Sequence, residues 1–311
     1  MTTILVGVGL VLADDKLSTG TILSSIGLNL IASVIFATVF TVLLERVQQR
    51  SIDDNIRESM NEATAALVQQ VSALGPMFIP AATYSNPNAA HRFQSDFNLD
   101  LTTSMTRTMS YGFRGPSAWY LATRLQTVAH KPQQVKVIIL DPSNPRAVAK
   151  RAVDQSTQPH MSGLSPAAMQ DLVRTHLAMA ITALFDCRHI CPIEMVYDDY
   201  SSVYRYEFTD DALFLTWLHN PASGAAEFPP AFRFSADSFL YQTLRLEFLR
   251  KFEISQQSVV FQAERTDQFL IEHLSNVLGN RVTQEDLTRW RHDYAVELDP
   301  FKEHLRSLNG S

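Results

Sequence analysis

Cysteine is scarce in this sequence, which contains two among its 311 residues, Cys187 and Cys191. Two cysteines cannot build a disulfide framework, and so low a count is typical of a reducing compartment. Together with His189 they form a Cys-x-His-x-Cys pattern, but structural zinc takes four ligands and no second pair of ligands follows. The sequence therefore predicts no metal site.

Several familiar motifs and an excess of positive charge are also missing. There is no Walker loop, no Gly-x-Ser-x-Gly elbow and no dinucleotide fingerprint, so we expect no cofactor. The net charge is −6, with a pI of about 5.8. This balance argues against broad affinity for nucleic acid but leaves room for a local basic pocket. The apolar content of 46% indicates a folded protein.

Charged residues are absent from Ile22 to Leu44. At about 1.5 Å per residue, a helix of this length spans a hydrocarbon core of roughly 30 Å, so the sequence predicts a transmembrane helix at residues 22–44. Three arginines follow within residues 46–57, whereas residues 1–21 contain a single cation. This asymmetry predicts that residues 1–21 lie outside the cytoplasm and that the rest of the chain lies inside.

Small and polar residues recur at every fourth position of this segment: Ser25, Asn29, Ser33, Ala37 and Thr41. In lipid, such a row lets helices pack closely and form hydrogen bonds. Alternatively, the row lines a water-filled path, with Asn29 near the middle of the membrane. Both interpretations imply self-association, and they are left open here.

The remaining chain predicts an α/β fold. Residues 45–75 have apolar positions spaced by three and four, which is typical of an amphipathic connector helix ending at Gly75. Residues 76–253 alternate predicted strands and helices, with a buried strand at Val135–Asp141. Residues 254–311 are predicted to be a helical tail, in which Thr283 to Asp286 starts a helix with a capping box.

Candidate ligand-binding residues fall in three groups, and each group also has a purely structural interpretation. One group lies at a predicted helix start, the second follows the buried strand, and the third alternates cations with aromatic rings. A surface arginine, ordinary turn chemistry and an exposed strand face would explain the same patterns. The residues are Arg114 and Ser117; Asp141, Asn144 and Arg146; and Tyr204, Arg205, Tyr206 and Arg233.

The stretches YGFRGPSAWYLATRL and VKVIILDPSNPRAVAKRA, with the later VYRYEFTDDALFLTWLHN and FRFSADS, resemble phospholipase-D-like domains of bacterial conflict systems over roughly residues 95–250. Catalysis in that family needs a histidine, a lysine two residues later and an aspartate five further on. None of the nine histidines has such a lysine. The best register is Tyr204, Tyr206 and Asp211, and a phenol is a poor nucleophile at neutral pH. The resemblance therefore implies a domain that binds a phosphodiester without cutting it, and hence not an enzyme.

The combination of helix and domain resembles membrane channel effectors of bacterial anti-phage defence, the Hailong type among them. It implies a homo-oligomer in the bacterial inner membrane, with a tetramer favoured. The expected partners are the lipid membrane, a nucleotide or short single-stranded oligonucleotide ligand, and a signal-producing nucleotidyltransferase. The alternatives are a membrane-tethered phosphodiesterase or nuclease acting near Tyr204, Asp211 and His219, and a passive membrane scaffold.

Overall fold

The structure is a computed structural model that describes residues 29–40, 75, 77–85, 93–156, 163–200, 202–218, 229–255 and 258–309. The chain divides into two compact units, residues 1–70 and residues 71–311. The predicted connector helix at 45–75 lies outside the described residues, apart from Gly75.

In the first unit, residues 29–40 form a helix whose side chains are all exposed. Asn29, Ser33 and Ala37 belong to it, whereas Ser25 and Thr41 lie outside the described residues. No helix in the described part of the chain combines the length and the apolar character needed to cross a bilayer. The predictions of a transmembrane helix at residues 22–44 and of an inner-membrane location are therefore wrong on this finding.

The second unit is built on a mixed sheet of eight strands. The strands are β1 (Ala82–Tyr84), β2 (Ser110–Arg114), β3 (Gln134–Leu140), β4 (Ile193–Asp198), β5 (Tyr204–Phe208), β6 (Ala212–Trp217), β7 (Ala231–Ser235) and β8 (Val259–Phe261). Their order across the sheet is β1-β7-β6-β5-β2-β3-β4-β8. The central strands β2, β3 and β4 are parallel, and all the other pairings are antiparallel.

Helices cover the two faces of the sheet unequally. They are α1 (Ser95–Arg107), α2 (Leu121–Thr127), α3 (Pro145–Ser156), α4 (Pro166–Asp186), α5 (Phe239–Ile254), α6 (Asp267–Leu278) and α7 (Gln284–Asn309). The larger core cluster takes its buried residues from every helix except α5. The smaller cluster joins Tyr241 and Phe248 of α5 to the opposite face, where a Cβ at Gly112 would lie only 2.9 Å from the Phe248 ring.

Local sequence explains where several helices begin. Ser165 and Ser238 cap α4 and α5, because their side chains accept hydrogen bonds from backbone N–H groups three residues on. The predicted capping box before α7 is confirmed: Asp286 N–H donates to Thr283 Oγ1 (3.2 Å) and Thr283 N–H donates to Asp286 Oδ2 (2.9 Å). The predicted buried strand is also confirmed as β3, where Val135, Val137 and the three residues after it are buried.

The fold departs from the prediction at its edges. The three-residue strands β1 and β8 close the two ends of the sheet, and neither was expected from the sequence. Strand β8 lies in the segment that was expected to be a purely helical tail. A three-residue strand is too short to show a period of two, which is why sequence patterning misses it.

Candidate anion-binding pocket

A pocket of about 130 Å³ lies at the carboxyl end of β2. Three arginines converge on it from three elements: Arg124 from α2, Arg151 from α3 and Arg205 from β5. We call this set, together with the loop at residues 115–120, the arginine pocket. Its full lining is Phe113, Pro116, Ser117, Ala118, Trp119, Tyr120, Arg124, Arg151, Arg205 and Leu218.

The loop at residues 115–120 is fixed to the neighbouring strand β3. Gly115 N–H donates to the Ile138 carbonyl (3.1 Å), and Leu140 N–H donates to the Pro116 carbonyl (3.3 Å). Ala118 has φ = +50°, and it is the one non-glycine residue with positive φ in the described part of the chain. Backbone in this region is strained for alanine, and such strain concentrates at binding sites.

Gly115 allows Arg205 to approach the loop closely. A Cβ at position 115 would lie 3.0 Å from Arg205 Cγ and 3.0 Å from Phe113 Cζ, which is tighter than an ordinary van der Waals contact. Glycine is therefore required here by the position of the arginine rather than by its own φ.

Arg124 forms the floor of the pocket, with only 3% of its side chain exposed. Its Nη2 donates to Asn98 Oδ1 (2.6 Å), and its guanidinium carbon lies 5.2 Å from the Phe301 ring centroid. Burial lowers its pKa, but a guanidinium stays charged in a protein. The buried Nε–H has no hydrogen-bond acceptor among the described residues. This donor is also closed off from solvent, so it lies behind the surface of the pocket.

Glu207 of β5 is fully buried behind two of the arginines. Its Oε2 lies 3.6 Å from Arg124 Nη1, and its Oε1 lies 3.3 Å from Arg205 Nε. Tyr111 also donates its hydroxyl hydrogen bond to this carboxylate. A buried carboxylate needs such partners, because taking an unpaired charge out of water is costly. The carboxylate thus balances one of the two positive charges that it contacts.

Arg151 is the third arginine of the pocket and differs from the other two. It is half-buried, and burial lowers its pKa below that of an exposed arginine. Within the part of the chain that the structure describes, it forms no hydrogen bond and no ion pair, and Asp154 acts on it only from beyond ion-pair distance. The pocket therefore contains a partly desolvated cation whose donors have no acceptor among the described residues.

Arg114, the leading ligand candidate from the sequence, lies outside this pocket and has no free donor. Its five N–H groups donate to Asp198 (twice), Tyr206, Tyr200 and Glu247, at 2.6–3.1 Å. An arginine has only five such donors. Lys251 adds a second ion pair to Asp198, at 3.2 Å. This Arg114 cluster ties the end of β2 to β4, β5 and α5, and its geometry is that of a structural ion-pair network.

The candidates after β3 form a turn and a helix cap. Asp141 Oδ1 accepts from the backbone N–H and the hydroxyl of Ser143, and Asn144 Oδ1 accepts from Arg146 N–H (3.0 Å) and Ala147 N–H. The Arg146 residue is exposed. None of the three lines the arginine pocket. Their placement matches the turn interpretation rather than the ligand-binding one.

The candidates in the alternating cation–aromatic pattern separate onto two faces of the sheet. Arg205 faces the pocket, while Tyr206 points to the α5 face, where burial raises the pKa of its phenol to about 12. Tyr204 is exposed and lies 6.5 Å, centroid to centroid, from Trp217 on β6. Arg233 is engaged elsewhere, by Asp100 (3.7 Å) and Asp211 (3.4 Å). His219 lies outside the described residues.

The two cysteines are buried thiols. Burial raises the pKa of Cys187 to about 12 and that of Cys191 to about 11, so neither is a thiolate at neutral pH. Among the described residues, no group of histidine, cysteine, aspartate and glutamate has the geometry of a metal site.

Sequence reasoning found Ser117 and Arg205 but missed Arg124, Arg151 and Glu207. Two of these left a signal. Arg124 interrupts the apolar run of its helix, and Glu207 lies between the aromatic residues Tyr206 and Phe208 on β5. Charged residues at such positions are rare unless paired or functional. Arg151 gives no such signal in the sequence, because it is one of several cations in an ordinary amphipathic helix.

No protein-family model matches the chain, and no curated protein matches it. Among solved structures, similarity is found to TrmBL2, an archaeal chromatin protein whose structure is described as showing a novel mode of DNA binding. The identity is 9%, the match covers 70% of this chain and 69% of that chain, and the TM-score is 0.30. No family model and no curated protein supports the resemblance to phospholipase-D-like membrane effectors, and the described residues contain no membrane-spanning helix. The assignment to a phospholipase-D-like membrane effector is therefore wrong, and the fold is described here only as mixed α/β.

Proposed function

We propose that this protein binds a nucleotide or a short single-stranded oligonucleotide, without hydrolysing it, by placing a phosphate in the arginine pocket. One observation carries the proposal: Arg151 lines the pocket and forms no hydrogen bond or ion pair among the described residues. Buried donors are normally satisfied, and each exception calls for an explanation. An anion that enters the pocket supplies the missing acceptors.

Phosphate fits this donor set better than a neutral ligand does. The guanidinium fork matches the oxygens of a phosphate, and hydrogen bonds between two charged groups are about twice as strong as neutral ones. Ser117 adds a hydroxyl at the wall of the pocket. The net charge of the whole chain is −6, so the positive charge here is local and selects where an anion binds.

Two exposed aromatic rings, on the opposite face of the sheet from the pocket but at the same end of it, support a ligand with a base. Tyr204 and Trp217 are 41% and 43% exposed, and each is the chain neighbour of a pocket residue, Arg205 and Leu218 respectively. Side chains alternate between the faces of a strand, so this pair lies on the α5 face at the same end of the sheet. Stacking a base on such rings contributes about 1–3 kcal/mol. A ligand longer than one phosphate is needed to reach both places.

The absence of hydrolysis is part of the proposal, and the placement of Tyr204, Tyr206 and Asp211 supports it. Tyr204, at the position of the nucleophile in that register, does not line the arginine pocket. Tyr206 accepts a hydrogen bond from Arg114 (2.6 Å) and has a pKa of about 12, so its phenol is protonated at neutral pH. Asp211, the third residue in that register, is engaged by Thr209 and Arg233. Neither side chain is placed to attack a phosphate in the arginine pocket.

Isothermal titration calorimetry with a 5′-phosphorylated adenine dinucleotide tests the proposal. We expect Arg151→Met to weaken binding about 10- to 100-fold, because it removes charge-assisted hydrogen bonds. The thermal midpoint should stay the same or rise, because the variant also removes a desolvated and unpaired cation. The dinucleotide should be recovered intact after incubation.

The matched control is Arg146→Met, which removes an exposed arginine from the same helix, outside the pocket. Its affinity should equal that of the native protein. If both substitutions weaken binding equally, only the general charge of the surface matters and the pocket assignment fails. Cleavage of the dinucleotide by purified protein would refute the non-catalytic part.

A further inference from the structure

Among the described residues, the arginine pocket has three positive charges and one carboxylate in contact with them, and this excess of positive charge bears on the kind of phosphate that fits. Three guanidinium groups line it, and Glu207 is the carboxylate in direct contact with them. A phosphate monoester carries about −1.5 to −2 charges at pH 7. An internal phosphodiester carries a single negative charge. The monoester therefore matches the excess more closely.

The size of the pocket also favours a terminal phosphate over an internal one. Sites for whole small molecules range from about 300 to 1,000 Å³. The arginine pocket measures about 130 Å³, so it holds an end group rather than an entire nucleotide. Its floor is Arg124, which is almost completely buried. A phosphate that reaches this floor with one substituted oxygen leaves a single ester chain to pass out through the mouth, whereas an internal diester has two.

The walls do not provide a slot for a base. The Trp119 ring already lies 4.9 Å from the His176 ring and 5.1 Å from the Tyr294 ring, and the Tyr120 ring lies 4.7 Å from that of Phe301. These aromatic faces are taken up by protein contacts. Beside its apolar side chains, Phe113, Pro116, Ala118 and Leu218, the pocket offers the positive charge of three arginines and the hydroxyl of Ser117. These polar groups suit the three unsubstituted oxygens of a monoester.

We infer that the arginine pocket recognises a terminal phosphate monoester, such as the 5′- or 3′-phosphate of a nucleotide or oligonucleotide end, and discriminates against internal phosphodiesters. This inference rests on the proposed function and narrows it: the protein distinguishes phosphorylated ends from unphosphorylated ones. Chemically, such ends are the products of nucleases and of kinases that act on nucleic-acid ends.

Three adenine dinucleotides test the inference, each titrated into the full-length protein. The first has a free 5′-phosphate, the second has a 5′-hydroxyl and therefore only the internal diester, and the third has a 5′-phosphate that carries a methyl ester. We expect the first to bind at least about 30-fold more tightly than the other two. Arg151→Met should remove this preference, while Arg146→Met should keep it.

Equal affinities for the first and third dinucleotides would overturn the inference and leave the proposed function standing, because a terminal diester would then fit as well as a monoester. Equal affinities for the first and second would also overturn it, since the internal phosphate would suffice. Failure of all three to bind would overturn both the inference and the proposed function. If Arg151→Met still binds the second and third dinucleotides as the native protein does, the variant is folded, and it has lost only the preference for the free terminal phosphate.

Discussion

Glu207→Gln gives the most demanding test of the charge arrangement behind the pocket. The substitution keeps the shape of the side chain and an acceptor for Tyr111, but it removes the one carboxylate that, among the described residues, contacts both Arg124 and Arg205. Breaking a buried ion pair from one side costs about 3–5 kcal/mol. We expect a value near the lower end, about 3 kcal/mol, because the amide still accepts hydrogen bonds.

The expected loss converts into a measurable thermal shift. For a unit of this size, each kcal/mol moves the midpoint by about 2–4 °C, so Glu207→Gln should lower it by about 6–12 °C. Inorganic phosphate should restore more stability to the variant than to the native protein, because the anion replaces the missing charge. At a ligand concentration of about 100 times the dissociation constant, the gain reaches about 2.7 kcal/mol.

Differential scanning calorimetry with and without phosphate measures both effects. Glu194→Gln is the matched control: Glu194 pairs with Lys136 on the same sheet, but both side chains are about one-fifth exposed. An ion pair that water still reaches contributes about 1 kcal/mol or less, so this control should shift the midpoint by only a few degrees. The reasoning is refuted if Glu207→Gln melts within 2 °C of the native protein, or if phosphate stabilises the two equally.

Three further predictions address the surroundings of the pocket. Gly115→Ala should weaken binding of the phosphorylated dinucleotide several-fold in calorimetry and lower the free energy of unfolding in urea by about 1–3 kcal/mol. The reason is that the added methyl group would lie 3.0 Å from Arg205 Cγ. Unchanged affinity would contradict this prediction. Arg114→Met should destabilise the fold by about 3–5 kcal/mol in urea unfolding, because it leaves the buried Asp198 with Lys251 as its remaining ion-pair partner. The affinity of the folded variant for the dinucleotide should stay unchanged. A loss of affinity would instead show that Arg114 belongs to the ligand site. Burial lowers the pKa of His273 to about 4, so between pH 6.5 and pH 4 the unfolded chain binds a proton that the folded chain excludes. The free energy of unfolding is therefore highest above pH 6.5 and falls by up to about 3 kcal/mol towards pH 4. Urea unfolding at several pH values should show this fall in the native protein and a flatter profile in His273→Phe.

The central strand and several helix starts could be predicted from sequence because their signals are local. The run Val135 to Leu140 is aliphatic enough to require burial, and Thr283 with Asp286 makes a cap within four residues. By contrast, β1 and β8 exist because a neighbouring strand offers unpaired backbone groups, and no three-residue pattern encodes that. The predicted transmembrane helix came from composition alone, and no helix in the described part of the chain meets the requirement.

The candidate site could be predicted only in part, because most of it is assembled by tertiary contacts. Arg205 and Ser117 stood out through their neighbours in the chain. By contrast, Arg124, Arg151 and Glu207 come from different helices and strands, and only the tertiary fold brings them close together. Arg114 illustrates the opposite error: an arginine before a Gly-Pro turn suggests phosphate binding, yet its five donors are all used within the protein.

A crystal structure with the 5′-phosphorylated dinucleotide bound measures the central claim most directly. The account predicts the terminal phosphate inside the arginine pocket, with its oxygens about 3 Å from the guanidinium of Arg151. A dinucleotide whose terminal phosphate lies instead against the Arg114 cluster, or against the turn at Asp141–Asn144, with the arginine pocket left to solvent, would contradict it.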